Sequence, residues 1–280
     1  VTPRSIKIAL FMIIATVPFL FVVVPISAFL IMSFWQMDGA QIVREFSVSN
    51  YVDFFTNDSY LRTFLNTLWL CSRVTAVGIL IGYPIAWFIW KREKRAGSLL
   101  LLLFAMPLFM SYIVKIYTMR SILGLNGFLN KILVGVGILD TPSLVFLYNQ
   151  TAILITMSVV FLPFAILPIY LSLDRIPQSL LHASADLGAS SGVTFRHVVI
   201  PLSLPGTVAG ALFVFILALG DFITPQMVGG PSGFTIGRVI WSQFGLAYNW
   251  PFGAAMGAVL FLLALLLIVA AAFAASRQKV

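Results

Sequence analysis

Charged residues are scarce in this chain of 280 residues, because only 9% are Asp, Glu, Lys or Arg whereas 60% are hydrophobic. Soluble domains usually carry about 25% charged residues, so a soluble protein of this composition would have no means of covering its apolar surface. Cysteine is nearly absent as well, since Cys71 is the only one. A disulfide within the chain and a zinc site built from several cysteines are therefore excluded. The composition predicts a protein embedded in membrane lipid.

Sequence signatures of common enzymes are also missing. The chain has no Gly-x-x-x-x-Gly-Lys-Ser/Thr phosphate-binding loop, so it is not predicted to hydrolyse ATP itself. No Ser/His/Asp or Cys/His arrangement stands out. The two histidines, His182 and His197, are fifteen residues apart in a polar segment, a spacing that does not predict a zinc site. We therefore expect no catalytic residues, no metal site and no cofactor in this chain.

Long apolar segments are what the chain has instead. A membrane-spanning helix needs about 20 apolar residues, and segments of at least about this length that lack Asp, Glu, Lys and Arg are 8–37, 74–90, 96–114, 141–173, 197–220 and 239–276. Trimmed at Pro, Gly and polar clusters, they predict six spans near 9–34, 66–90, 97–119, 150–173, 203–223 and 252–275. Lipid offers the backbone no hydrogen-bonding partner, so helices are expected. The predicted fold is all-α and polytopic, with an uncleaved first span and short external helices within 38–65 and 120–149.

The distribution of charge predicts the orientation in the membrane. The terminal segments and the loops after the second and fourth spans carry ten bases and three acids, a balance of +7. The opposite loops carry five bases and five acids. Because basic loops stay in the cytoplasm, both termini and the loop after the fourth span are predicted to lie inside. The net charge of +8 is thereby read as an orientation signal, and nucleic acid is not expected as a partner.

One predicted cytoplasmic loop, residues 174–202, is polar and long. Residues 178–187 favour a short helix, and Gly188 can adopt the left-handed conformation that ends it. Ser191 can cap a second short helix, which Pro201 and Pro205 are expected to separate from the fifth span. The prediction is a small helical knob outside the bilayer. It is either a docking element for a cytoplasmic partner or a solvated loop.

The knob resembles the "EAA" loop of ABC importer permeases, in which Glu-Ala-Ala is followed at fixed spacings by Gly, Ile and Leu-Pro. The matching positions and the acid between them are His182, Ala183, Ser184, Asp186, Gly188, Val198, Ile200 and Pro201. His182 stands where the family usually has Glu. The resemblance implies that the knob is a coupling helix seated in a cleft of an ATP-hydrolysing subunit.

Other segments extend this resemblance over nearly the whole chain. "YPIAWFIW", "MPLFMSYIVKIYTMRSIL", "GILDTPSLVFLYN" and "GDFITPQMVGG" are similar to permease subunits of spermidine/putrescine-type importers. The resemblance implies a type I ABC importer permease fold, one transmembrane permease domain over residues 1–280, in a bacterial inner membrane. It implies half of a pathway for a polyamine-like or related small organic solute. The implied partners are a second homologous permease, two ATP-binding cassette subunits that hold ATP and magnesium, and a periplasmic solute-binding protein.

Candidate pathway residues follow from the chemistry of a cationic solute. Asp221 lies near the outer end of the fifth predicted span, and acids in spans usually face a cavity or a partner. We predict that it is a counter-charge for the solute, and the alternative is an interfacial acid that reaches water or pairs with a base. Aromatic faces add cation–π contacts, and the candidates are Trp35, Tyr83, Tyr117, Phe222 and Trp241. Aromatic residues at membrane interfaces are more often anchors to the interface, which is the alternative.

Two pairs of glycines predict where helices approach closely. Gly206 with Gly210, and Gly253 with Gly257, have the Gly-x-x-x-Gly spacing that leaves one helix face without side chains. With 20 glycines in the chain, some such pairs arise by chance, so the indication is weak.

Two other classes of function remain open at the level of the residues. A stand-alone secondary transporter or channel for a small cation should show repeated halves and paired acids within its spans, and neither is evident. A membrane scaffold that moves nothing would not need both the polar knob and Asp221.

Overall fold

Helices dominate the part of the chain that the computed structural model describes, which is residues 19–276 and, before them, residues 6, 14, 16 and 17. The α-helices are α1 (Val24–Met32), α2 (Ser49–Thr56), α3 (Asp58–Trp90), α4 (Lys94–Ala105), α5 (Tyr112–Leu123), α6 (Phe128–Gly135), α7 (Gln150–Asp174), α8 (Gln178–Asp186), α9 (Ser191–Thr194), α10 (Ile200–Gly220), α11 (Ile223–Val228), α12 (Ile236–Gly245) and α13 (Trp250–Ser276). The strands are β1 (Gln36–Asp38) and β2 (Gln41–Val43). The predicted all-α class is confirmed, apart from this one hairpin.

The described chain divides into two units. The smaller unit contains the described residues up to Leu61 together with Val239–Leu262. The larger unit contains Arg62–Arg238 and the described residues from Leu263 onward.

Four described helices are long and apolar enough to cross a membrane: Asp58–Trp90, Gln150–Asp174, Ser191–Gly220 and Trp250–Phe273. They coincide with the predicted spans near 66–90, 150–173, 203–223 and 252–275. The predicted first span, near 9–34, lies partly outside the described residues, and its described part contains the shorter apolar helix Phe19–Met32. Hydropathy alone predicts these positions, because a helix that crosses lipid must be long and apolar whichever helices it packs against.

The predicted third span, near 97–119, is interrupted. Lys94–Phe109 and Tyr112–Gly135 together have the length and composition of a span, but they are bent by 99° at the break between them. Met106–Phe109 form a 3₁₀ turn with Pro107 near its start, and Met110 and Ser111 have extended ψ angles of 145° and 135°. Pro107 has no backbone N–H to donate, and α4 gives way to the 3₁₀ turn at this point. The extended Met110 and Ser111 then start α5 in a new direction.

The fifth span shows a second departure from expectation, since Pro201 and Pro205 do not separate it from the knob. Ser191–Gly220 is continuous over 30 residues, with a π-helical turn at Phe195–Val199 directly before α10. Pro201 is the second residue of α10 and directly follows the π turn, so its missing N–H falls where the α-helical hydrogen-bond pattern is already interrupted. A π turn contains one extra residue, which moves the preceding carbonyls away from the proline ring.

Helices α7 and α10 pack against each other in the larger unit. A methyl group on Gly206 would overlap the carbonyl oxygen of Pro168 and the Cβ of Ser172. A methyl on Gly210 would lie 3.0 Å from the carbonyl oxygen of Ala165. The close approach predicted for this glycine pair is confirmed, because only hydrogen atoms leave room for the neighbouring backbone.

The second glycine pair, in α13, faces aromatic rings within the smaller unit and not a helix backbone. A methyl on Gly253 would lie 2.9 Å from the ring of Phe244, and one on Gly257 would lie 2.9 Å from the ring of Phe29. The two rings are also in contact with each other, with centroids 5.8 Å apart. These glycines therefore make space for large side chains.

The hairpin and α2 replace the single interfacial helix predicted within 38–65. β1 pairs antiparallel with β2, Met37 lies opposite Ile42, and Gly39 has the positive φ of 58° that the tight turn requires. Asn50 of α2 is buried, and its side-chain amide donates to the carbonyl oxygens of Ser33, at 3.1 Å, and Trp35, at 2.7 Å. The predicted helix is thus present, but it is confined to Ser49–Thr56.

Candidate functional site

The knob at residues 174–202 is built from two short helices joined by a tight turn. Gly188 follows α8 with a φ of +76°, which confirms the predicted left-handed stop. Its backbone N–H donates to the carbonyl oxygen of Ala185 at 2.9 Å. The hydroxyl oxygens of Ser184 in α8 and Thr194 in α9 are 2.7 Å apart. The turn and this hydrogen bond hold the two helices together as one element.

The inner face of the knob is apolar and packs on the spans. Leu181 and Phe195 lie against a buried cluster that includes Ile89 of α3 and Ile169 of α7. The ring of Phe195 meets that of Trp87 edge to face, with centroids 5.3 Å apart. The knob is therefore attached to α3 by side-chain packing, in addition to its chain connections to α7 and α10.

Tyr83, a predicted pathway residue, lies beside the knob. Its ring centroid is 6.1 Å from that of Phe195, and its hydroxyl oxygen is 2.8 Å from the hydroxyl oxygen of Ser203 in α10. It also lines a cavity of about 610 Å³ whose other walls include Trp87, Lys91 and Phe195. Through these contacts, Tyr83 of α3 touches both α10 and the knob.

The outer face of the knob is open to its surroundings. Leu187 is 88% exposed and Leu180 is 43% exposed, so the outer face presents apolar as well as polar side chains. The residues of the predicted coupling pattern that are exposed are His182, Ala183, Asp186, Gly188, Ile200 and Pro201, and the half-buried ones are Ser184 and Val198. Exposed leucines beside polar side chains form the kind of surface that a protein partner covers.

Asp221 is buried, with 7% of its surface exposed, and its carboxylate caps a helix. One carboxylate oxygen accepts the backbone N–H groups of Ile223, at 3.0 Å, and Thr224, at 3.1 Å, at the start of α11. The other accepts the Tyr112 hydroxyl at 2.5 Å, and that hydroxyl is 2.9 Å from the hydroxyl of Thr224. An N-cap carboxylate satisfies backbone donors that the first turn leaves free. Asp221 therefore holds α11 and α5 together.

Sequence reasoning missed this capping role. The sequence does contain a local signal for it, because Asp is one of the residues preferred as a helix N-cap. Tyr112 lies 109 residues away in the chain, so no local pattern reveals that contact. Neither alternative weighed from the sequence, exposure to water or pairing with a base, matches this environment, and the counter-charge role stays a prediction.

The remaining predicted pathway residues are distributed over both units. Tyr117 of α5 and Phe222 lie in the larger unit, and Trp35 and Trp241 lie in the smaller one. Tyr117 is half exposed, and the guanidinium carbon of Arg44 lies 5.3 Å from the ring centroid of Trp35. Among the residues that the structure describes, no group of three or more His, Cys, Asp or Glu is placed to bind a metal ion.

Sequence comparison places this chain near known transport proteins. The family described as binding-protein-dependent transport system inner membrane component matches residues 4–280. The chain is 36% identical over 249 residues to the spermidine/putrescine transport system permease protein PotB of Haemophilus influenzae. That match covers 89% of this chain and 86% of the relative.

Structural comparison finds the same arrangement of helices in a transporter. The chain is similar, with a TM-score of 0.78, to a crystal structure of a bacterial ABC transporter involved in the import of the acidic polysaccharide alginate. A second structure of the alginate transporter, in complex with its alginate pentasaccharide-bound periplasmic protein, is equally similar. In each, 99% of this chain and 96% of the other are covered at 16% identity, so the likeness shows the fold alone.

Proposed function

Because this chain belongs to the family of binding-protein-dependent transport system inner membrane components, and is therefore a permease subunit of an ABC importer, we propose that it imports a polyamine-like cation. The resemblance to the permease protein of a spermidine/putrescine system over most of both chains supports this solute class. A related small organic solute is the nearest alternative.

The exposed outer face of the knob supports the proposal that another subunit supplies the energy for transport. We propose that an ATP-hydrolysing subunit covers Leu180 and Leu187 and the polar residues around them, as the coupling-helix pattern implies. ATP and magnesium are then held by that subunit, because this chain has no phosphate-binding loop.

Motion of the knob has two routes into the membrane. Ser191–Gly220 is one continuous helix of 30 residues, about 45 Å long at 1.5 Å per residue, so it moves as a lever that ends next to Asp221. The second route is the contact of Phe195 with Trp87 and Tyr83, which carries displacement to α3.

The proposed assembly contains two permeases, two ATPase subunits and one external solute-binding protein. The binding protein is supported by the alginate transporter, whose structure includes a periplasmic protein. The proposed location is a bacterial inner membrane, with both termini and the knob in the cytoplasm, as the distribution of basic residues predicts.

The proposed solute pathway includes Asp221 and the aromatic candidates. Asp221 would act on a cation through its charge, from its buried position beside Tyr112. The aromatic candidates, Trp35, Tyr83, Tyr117, Phe222 and Trp241, would offer ring faces to alkylammonium groups.

Uptake into proteoliposomes tests the proposed function. The complete assembly should accumulate radiolabelled spermidine only when ATP is inside with the ATPase subunits and solute-loaded binding protein is outside. Accumulation by the permeases alone would instead identify a stand-alone transporter. Absence of spermidine uptake, with uptake of an uncharged solute, would overturn the polyamine assignment.

A further inference from the structure

The smaller unit contains a polar cavity of about 440 Å³ that the proposed function does not use. Its lining comes from α2, α3, α12 and α13 and from the residues just before α3 and α13: Asn50, Asp53, Thr56, Asn57, Tyr60, Gln243, Asn249 and Phe252. The lining contains no Lys or Arg, so the carboxylate of Asp53 is its one formal charge. The volume falls within the range of about 300–1,000 Å³ that is common for small-molecule sites.

Several walls of this cavity are fixed by contacts within the unit. Asn50 is held by its hydrogen bonds to the carbonyl oxygens of Ser33 and Trp35. Phe252 is only 6% exposed, and the amide oxygen of Asn249 accepts its backbone N–H at 3.1 Å. A site whose walls are already ordered loses little entropy when a ligand enters.

The aromatic part of the lining is also ordered. The rings of Tyr60 and Phe252 meet edge to face, with centroids 5.1 Å apart and an interplanar angle of 62°. An aromatic face attracts a cation with about 0.5–2 kcal/mol, depending on how far the contact is desolvated. The cavity therefore offers a ring surface in addition to its hydrogen-bonding groups.

Asp53 is exposed, and in the part of the chain that the structure describes no base lies within ion-pair distance of it. Amide side chains from Asn57 and Gln243 accompany it in the lining. A carboxylate with amide oxygens and an aromatic face matches an alkylammonium group, which donates up to three hydrogen bonds and carries one positive charge. An anion would meet repulsion from Asp53, and a neutral apolar solute would leave these polar groups unpaired.

We propose that this cavity binds the ammonium group of an aliphatic amine, with Asp53 as the counter-ion and Tyr60 as the ring contact. That the amine is the transported solute rests on the proposed function. That the cavity suits an ammonium group rests only on the residues that line it. By the predicted orientation, 38–65 and 245–250 lie on the external side, so the cavity receives an amine before it enters the membrane.

Binding of radiolabelled spermidine to the assembly in lipid nanodiscs, with the external binding protein left out, tests the site. Asp53→Asn keeps the shape of the side chain and removes its charge, and we expect three- to tenfold weaker binding, roughly the worth of one partly exposed ion pair with its hydrogen bonds. The matched control is Glu45→Gln, an exposed acid of the same unit outside the lining, which should bind as the unaltered protein does. Equal affinities for all three proteins would overturn the proposal.

A second pair of variants tests the ring contact independently of charge. Tyr60→Leu should weaken spermidine binding severalfold, whereas Tyr60→Phe should retain it, because the ring and not the hydroxyl makes the contact. Equal binding by both variants would remove Tyr60 from the site. An uncharged diol of the same chain length should not compete with spermidine, and competition by the diol would show that the cavity does not select for charge.

The same ammonium chemistry has a second source, a lysine side chain of the docking external protein. Unchanged spermidine affinity in Asp53→Asn, together with weaker capture of the binding protein, would overturn the free-amine assignment in favour of that lysine. Failure of the site is distinguishable from failure of the proposed function. If the unaltered assembly imports spermidine and Asp53→Asn binds and imports it equally well, the proposed amine site is rejected and the proposed function is not.

Discussion

Asp221 illustrates how one acidic residue in an apolar segment serves structure. Its carboxylate accepts two backbone N–H groups at the start of α11 and the hydroxyl of Tyr112. These three donors stabilise the charge where lipid and protein offer little water. A solute-facing role for Asp221 must therefore coexist with its role as a cap.

Two substitutions of Asp221 separate these roles. Asp221→Ala removes the cap and the Tyr112 contact, and we expect the protein to lose about 1–2 kcal/mol or more of stability, seen as a lower thermal unfolding temperature of the purified assembly. Asp221→Asn retains an amide oxygen that can accept from Ile223 and Thr224, so its stability should fall less. If spermidine uptake by Asp221→Asn equals that of the unaltered protein, Asp221 is a structural residue only.

At the scale of elements, close packing between α7 and α10 depends on Gly206. The carbonyl of Pro168 occupies the space that a side chain at this position would need. Since a backbone carbonyl cannot rotate away as a flexible side chain can, the two helices must separate to admit even one methyl group.

We expect Gly206→Ala to destabilise the protein by about 1–3 kcal/mol, the usual cost of overpacking. Gly220→Ala is the matched control, because it lies in the same helix with no atom within 4 Å of the added methyl. Thermal unfolding of both variants measures the difference. Equal unfolding temperatures would mean that α7 and α10 do not approach as closely as described.

The turn of the knob gives a second prediction at this scale. Gly188 has a φ of +76°, and proline is confined to a φ near −65°, so Gly188→Pro should disrupt the turn between α8 and α9. We expect most of the stimulation of ATP hydrolysis by solute-loaded binding protein to be lost. Gly192→Ala, in the same knob with open space around it and no positive φ, should retain it. Full stimulation in Gly188→Pro would reject a coupling role for the knob.

Much of the element order was predictable because hydropathy and the knob pattern are local signals. The break at Phe109–Tyr112 was missed, since Pro107 lies in an otherwise uninterrupted apolar segment and its effect depends on the direction of the next helix. At Pro201 a break was predicted and a continuous helix was found, because no residue type in the sequence indicates the π turn that precedes it. The Asp221–Tyr112 contact joins distant parts of the chain, so only the folded structure reveals it.

At the scale of the whole molecule, the predicted importer permease fold is confirmed by the family match and by the similarity to the alginate transporter. The described chain contains helices long and apolar enough to cross a membrane and a knob with an exposed outer face. It has no phosphate-binding loop of its own. The knob is therefore the place where we propose that a separate ATPase delivers energy.

Site-specific cross-linking from Leu187 tests this proposal most directly. Cys71 is buried, so Leu187→Cys supplies an exposed thiol on the knob, and Phe46→Cys supplies a control thiol at a residue that is 78% exposed in the predicted external segment. With a thiol-linked photo-cross-linker on the working assembly, we predict a covalent product between Leu187→Cys and the ATPase subunit, and none from Phe46→Cys. No ATPase product from Leu187→Cys, in an assembly that still imports solute, would contradict the account.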